Sequence, residues 1–529
     1  MVRKLCLLFC LLVSVSVSAG QMQSYKPQFT VLPSIRKNPN PSVPLAFIVD
    51  FATTRPVRVQ MYLDDGRTTR LVAETGFDSN QFSLPVLGLR PDTAYKLRFD
   101  IRDALSIPVP FPNELEFRTD PLPAGFPSIA ATVSEPALME PGVTLFNLTQ
   151  LTTSLMVAVN ERGEVIWFYR HSVSGLTDIK RVSNGHLVFT DSQGAAEMDM
   201  LGNIHRRWNS ANIDRNASAF ATPLYIDNLH HEIYETTRGT FLTLGTEVRQ
   251  FPEYPTSETN PDARMAPANV VGDTIIDFDR DGRILREWSL FDILDPFRIG
   301  YDSLSGIWNQ IYSWIADGTR DWSHANAVIE DASDDSIIVS LRHQDAIIKV
   351  DRQTGRLKWI LGTPDGWGPP WIPYLLTPVG SLQWPYHQHA PMITPQGTIL
   401  LFDNGNRRHR PTEDLPDRDY SRAVEYAIDE KTMEVSQVWS YGDRGEENFY
   451  SSALGDANLM PLKQTVLITD GFRVTGGIPD SRWGRIFEVT HTTPAQKVFE
   501  LVVRDAPGSN FAGWRIYRAQ RLPSLYPEQ

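Results

Sequence analysis

The chain has 529 residues, 41% of them hydrophobic and 21% charged, which is material for a large core and for more than one domain. Asp and Glu outnumber Lys and Arg by 63 to 50, a formal charge of −13. That balance argues against a nucleic-acid binder working through a basic face and leaves small molecules, carbohydrates or proteins as partners.

The chain opens as an address. Residues 1–19 read MVRKLCLLFCLLVSVSVSA, with Arg3 and Lys4 ahead of an apolar run and Val17-Ser18-Ala19 at its end. This is the pattern of a secretory signal peptide cleaved near Ala19, so the expected location is exported, periplasmic or secreted. An N-terminal anchor is the other reading, but the apolar run is short for a membrane span. The two cysteines, Cys6 and Cys10, both fall in this segment. The mature chain is therefore expected to lack disulfides, Cys metal ligands and a Cys nucleophile. Asn147-Leu-Thr and Asn216-Ala-Ser match the glycosylation pattern, which matters only on a eukaryotic secretory route.

Residues 28–118 alternate apolar and polar side chains in short runs, as in Leu45 to Phe51, Val57 to Tyr62 and Tyr95 to Phe99. Asp64-Asp-Gly66 reads as a turn between two of them. Leu89-Arg-Pro-Asp-Thr-Ala-Tyr95 resembles the tyrosine corner of fibronectin type III-like sandwiches. We expect a small β-sandwich over 28–120 with a structural role. Pro121, Pro123, Gly125 and Pro127 mark a linker.

From about residue 130 a turn followed by a strand ending in an aromatic recurs. The copies end at Trp167, Trp208, Trp288, Trp359, Trp439 and, in degenerate form, Phe499. Such spacing suits four-stranded blades with variable loops, and predicts an all-β fold with a six-bladed β-propeller over 130–529. Ser303 to Ala316 is the best candidate for a helical insertion.

A second repeat carries chemistry. His231 and His389 each stand eight residues before a turn Gly, at the start of an apolar run. His324 opens a third copy with a longer turn, and Asp456 takes the equivalent place in a fourth. Strands in equivalent positions start at the same end of a propeller's channel, so His231, His324, His389 and Asp456 are expected to ring one mouth. Three converging histidines suit metal ligation or nucleophilic and acid–base catalysis. Arg342 follows His324 on the next strand, and Asn326 lies two residues from His324 on the same face. An Arg beside the site disfavours a divalent cation and matches two oxygens of a sulfate or phosphate. Trp322, Trp384 and Tyr386 are candidate aryl-stacking groups, with core packing as the competing reading.

Asp321-Trp-Ser-His-Ala-Asn326, Ser340-Leu-Arg-His-Gln344 and Lys358-Trp-Ile-Leu-Gly362 resemble bacterial arylsulfate sulfotransferases. So do Gln388-His389, Leu401-Phe-Asp-Asn-Gly405, Ser421 to Tyr426 and Gln437 to Gly442. The resemblance implies an exported six-bladed propeller that moves a sulfuryl group from a phenolic sulfate ester to a phenolic acceptor, without a nucleotide donor. It implies His389 as the transiently sulfurylated nucleophile and His324, Asn326 and Arg342 as holders of the sulfuryl oxygens. His231, rather than its neighbour His230, is implied as the acid–base partner, with Tyr517 nearby. It implies small-molecule partners, a homodimer, and no metal, cofactor, nucleic acid or membrane span in the mature chain. Family members commonly carry a cysteine pair near the catalytic His, and this mature chain has none. A lactonase-like metal-dependent hydrolase and a non-catalytic binding propeller are the alternatives.

Overall fold

The computed structural model describes residues 26–527, apart from 112–113, 151–152, 213–219, 307–315, 317, 410–418, 444–446, 476–480 and 509–512. The leader with its cysteines, Asn216, and most of the helical insertion expected over Ser303 to Ala316 lie outside the described residues. Among those described, the fold is all-β. Helix is confined to one turn at Leu290–Ile293 and two 3-10 turns, Arg342–Gln344 and Ile372–Tyr374. No helix among them is long and apolar enough to cross a membrane.

The chain divides into two units. The first takes the described residues up to Lys37, with Phe47–Val86 and Thr93–Thr119. One of its sheets joins Phe29–Lys37, Phe47–Thr53 and Gln81–Val86; the other joins Thr69–Glu74, Arg58–Asp64, Ala94–Arg102 and Leu115–Arg118. Period-two burial along these strands turns one face of each sheet inward. The inner faces meet through aromatic pairs, Phe47 with Phe117 at 4.6 Å and Phe51 with Phe99 at 6.3 Å. Tyr95, near the head of its strand, is 3% exposed.

The second unit holds Asn38–Ala46, Leu87–Asp92 and Asp120–Gln529, in six sheets. Each recurring aromatic falls on the fourth strand of a different sheet: Val165–His171, Ile204–Ser210, Ile284–Ser289, Leu357–Gly362, Glu434–Tyr441 and Lys497–Arg504. The preceding turn is closed by its own first residue. Asn160, Asp199, Asp279, Asp351 and Asp429 each accept backbone N–H bonds from two residues two to four positions on. The aromatic then reaches the turn of the following sheet. Trp167 Nε1 donates to Met200 O at 2.8 Å and Trp208 Nε1 to Arg280 O at 3.0 Å. Trp359 Nε1 donates to Glu430 Oε1 at 2.9 Å and Trp439 Nε1 to Thr492 O at 3.2 Å. Turn and staple thus repeat together, tying each of these sheets to the next.

The ends of the unit are woven in. Ala519–Leu522 is the innermost strand of the first sheet, and Ser128–Ser134 pairs with the last strand of the sixth. The innermost strands of all six sheets line one cavity of about 360 Å³, through residues such as Lys180, Tyr234, Ile329, Met392, Asn458 and Gln520. Asn147, in the first glycosylation match, is 1% exposed and its side chain bonds Leu176 O and the Tyr517 N–H. It is therefore a structural residue of the interior.

Candidate active site

Three of the innermost strands start irregularly. Register slips separate His230 from Ile233, Ala325 from Ala327, and His389 from Met392. His231, His324 and Ala390 have φ of 63°, 44° and 50°. Such values are uncommon for residues with a Cβ and cost of order 1–3 kcal/mol each. Extra residues at strand starts break the period of two and re-aim side chains. Here they turn consecutive side chains toward one cluster.

Histidine rings run through that cluster. His230 and His231 are 4.8 Å apart, His231 and His324 5.3 Å, His324 and His343 4.5 Å, and His343 and His387 5.8 Å. Tyr517 lies 6.3 Å from His231. His389 is 3% exposed and close enough to feel the charges of Arg342, Arg518 and His324. His231, His343 and His389 are all held well below the ordinary histidine value, first by burial and then by neighbouring cations. These three imidazoles are therefore neutral at ordinary pH.

Hydrogen bonds decide which nitrogens carry protons. Asn404 Nδ2 donates to Ser451 O at 2.7 Å and Leu454 O at 2.9 Å, which leaves its Oδ1 as an acceptor 2.6 Å from His389 Nδ1. His389 thus holds its proton on Nδ1 and presents a lone pair on Nε2. His343 Nδ1 donates to Asp321 O at 2.7 Å while its Nε2 accepts from Arg342 Nη1 at 2.8 Å. His324 Nδ1 is 2.5 Å from Asp321 Oδ2. His230 Nδ1 is 2.6 Å from His231 Nδ1, and His230 Nε2 is 3.2 Å from Asp273 Oδ1.

Arg342 begins a 3-10 turn instead of continuing its strand, and its backbone N–H donates to His324 O at 3.1 Å. The expected proximity to His324 therefore arises through a turn. Asn326 is fully buried. Its Nδ2 donates to Gln388 O at 2.8 Å, tying its strand to the one that carries His389, and its Oδ1 has no partner among the described residues. Asp456 is 4% exposed and lines the cavity with Asp178 and Arg518; burial pushes its carboxyl up to about 6. Trp322 is fully buried, stacked on Phe291 at 4.9 Å and donating to Arg298 O, so it packs the core. Trp384 and Tyr386 are half-buried.

Sequence reasoning did not single out His343, His387, Asp321, Asp345 or Asn404 individually, although most fall inside the motifs quoted above. The signal was position: each stands one to three residues from, or within a recognised motif beside, a residue already chosen. Two of the clusters this creates, Asp302–His343–His387 and Asp321–His324–His343, bring three ligand-type atoms within 4.8 Å of one another. Both depend on His343, whose two nitrogens are already committed to Asp321 O and Arg342. With that donor set a cation would have to displace a guanidinium, so the chemistry of the cluster favours an anion.

A family model described as Arylsulfotransferase (ASST) matches residues 130–515. An arylsulfate sulfotransferase AssT of Escherichia coli O6:H1 is 31% identical over 293 residues, covering 48% of this chain and 48% of that protein. Another, of Lelliottia amnigena, is 28% identical over 373 residues, covering 63% of this chain and 58% of that protein. The chain spans about half the length of these curated relatives. A solved protein of unknown function from Bacteroides caccae covers 72% of this chain, and 98% of its own length, at 12% identity with a TM-score of 0.38.

Proposed function

Since the chain belongs to the arylsulfotransferase family, we propose that it transfers a sulfuryl group from a phenolic sulfate ester to a phenolic acceptor through a sulfurylated His389, by a ping-pong route. One observation carries the reading: Asn404 commits the His389 proton to Nδ1, so a neutral Nε2 lone pair is available in a buried site within reach of the Arg342 charge. Neutral imidazole is a competent nucleophile at neutral pH.

In the first half-reaction His389 Nε2 bonds to sulfur as the bond from sulfur to the phenolic oxygen breaks. The electron pair leaves with the phenolate, and the adduct is an N-sulfoimidazolium. In the second, the acceptor phenol gives its proton to His231 as its oxygen attacks sulfur, and His389 is released neutral. The proton on His231 then passes to solvent, which protonates the phenolate released in the first half-reaction, so the cycle returns His231 neutral. His230 Nδ1 is 2.6 Å from His231 Nδ1, and we assign the proton between them to His231, which leaves His231 Nε2 for this task. The transition state is loose and anionic by analogy with phosphoryl transfer. We assign Arg342 and His324 to its oxygens, with Asn326 tying the strand that follows His324 to that of His389.

The reading extends to a six-bladed propeller, supported by six sheets around one cavity, and to a fibronectin III-like sandwich, supported by the facing sheets and buried Tyr95. Export is supported by the leader pattern, and a homodimer by the resemblance alone. The test is 4-nitrophenyl sulfate with and without phenol. Donor alone should leave one SO₃ mass on the His389 peptide, and phenol should remove it as phenyl sulfate forms. His389→Ala retaining full transfer would overturn the mechanism.

A further inference from the structure

We propose that His387 is a positioning residue, a buried histidine between Asp345 and Asp302 that clamps the strand carrying His389 to the turn carrying Arg342. The inference rests on the function proposed above, because the clamp matters only if those two side chains act together.

His387 is fully buried. Its backbone N–H and its Nδ1 both lie 2.8 Å from Asp345 Oδ1, and its Nε2 lies 3.1 Å from Asp302 Oδ2. Both ring nitrogens face carboxylate oxygens, and only an imidazolium has a proton for each. Asp345 caps the 3-10 turn Arg342–Gln344, its own N–H donating to Arg342 O at 3.3 Å. The next residue repeats the connection: Gln388 Nε2 donates to Leu341 O at 3.3 Å and Ala346 O at 2.9 Å, on either side of that turn. His389 follows at once. Two consecutive residues ahead of the nucleophile thus grip the segment that aims Arg342. His387 itself has φ of 52°, a conformation held against its intrinsic cost by these bonds.

The groups facing His387 are Asp345, Asp302, Arg342 and the His343 ring at 5.8 Å, with Arg407 at 3.6 Å behind Asp302. Burial and Arg342 oppose its charge, and the two carboxylates outweigh them, so it titrates above the ordinary histidine value. The clamp is therefore present at neutral pH and weakens as pH rises through that raised value.

The test is single-turnover release of 4-nitrophenolate from 4-nitrophenyl sulfate, without acceptor, across neutral and alkaline pH, with the SO₃ adduct read in parallel. Wild type should slow on the alkaline side. His387→Gln should lower the adduct-forming rate constant about 10–100-fold, the order expected when reacting groups are misplaced by about 1 Å, with little change in donor affinity and no alkaline limb. Asp302→Asn, in a less buried position, should move the limb to lower pH and covers the case that His387→Gln does not fold. An unchanged rate and limb in a folded His387→Gln, or an unmoved limb in Asp302→Asn, overturns the clamp. Wild type that forms no adduct on His389 would overturn the underlying mechanism instead.

Discussion

At the scale of single residues, burial sets the protonation of the histidine cluster. His231, His343 and His389 lie below the ordinary value of 6.5 because burial disfavours the imidazolium. The donor half-reaction should therefore keep its rate as pH falls through 6.5 and decline only at lower pH; a rate constant that titrates at 6.5 would contradict this. The same depression links pH to stability. The unfolded chain takes up protons on these residues near 6.5 and the folded chain does not, so their contribution is full above 6.5 and is lost as pH falls from there toward the folded values. His387 has the opposite sign. Its contribution is full below 6.5 and is lost as pH rises through its raised value. Thermal melts between pH 5 and 9 read both arms. The residues first chosen from the sequence were those at repeat positions. His343 and His387 stand outside the repeat register, and their meaning comes from partners such as Asp345 and Asp302, 42 and 85 residues from His387.

At the scale of elements, the recurring turn is the unit that the sequence displays most openly. Its hydrogen bonds span two to four residues, so an Asp or Asn, followed in four of the five by a Gly three or four places on, is enough to reveal it. The staple from each tryptophan is not local. It runs 72 residues from Trp208 to Arg280 and 71 from Trp359 to Glu430. Gly355 shows how the two combine. It has φ of 71°, and a Cβ there would stand 2.8 Å from Trp288 Cδ1. Gly355→Ala meets both a left-handed backbone and an occupied space. It should destabilise by about 1–3 kcal/mol in denaturant unfolding, with donor kinetics unaltered. The strand-start bulges were invisible beforehand. Histidines spaced for matched strands were legible, but the slips that aim them depend on pairing with the neighbouring strand.

At the scale of the whole second unit, a charged network on the cavity wall joins several sheets. Arg518 Nη1 lies 3.0 Å from Asp178 Oδ2 and 3.1 Å from Glu232 Oε2, and Nη2 donates to Asn326 O at 2.9 Å. Lys180 pairs with the same two carboxylates. Arg518 is eleven residues from the end of the chain, yet it joins residues of three other sheets. Arg518→Met would leave two buried carboxylates sharing one lysine. It should cost about 3–5 kcal/mol in equilibrium unfolding and loosen the Asn326 strand, so donor turnover should fall as well. Unchanged stability would show that the network is dispensable. Asp456, expected in the histidine ring, lines the cavity with Asp178 and Arg518, and burial raises its carboxyl against Thr469 and the charge of Arg518.

The sequence by itself determined the all-β class, the six repeated turns with their aromatics, and the three histidines and one arginine with the chemistry for an anionic group. Each of those rests on short-range periodicity or on residue type. Tertiary structure decided which nitrogen of His389 is free, that Arg342 is aimed by a turn, and that His387 sits between two carboxylates. Those facts come from bonds between segments tens of residues apart, and a proton's location on an imidazole is fixed by the partner that the other nitrogen meets.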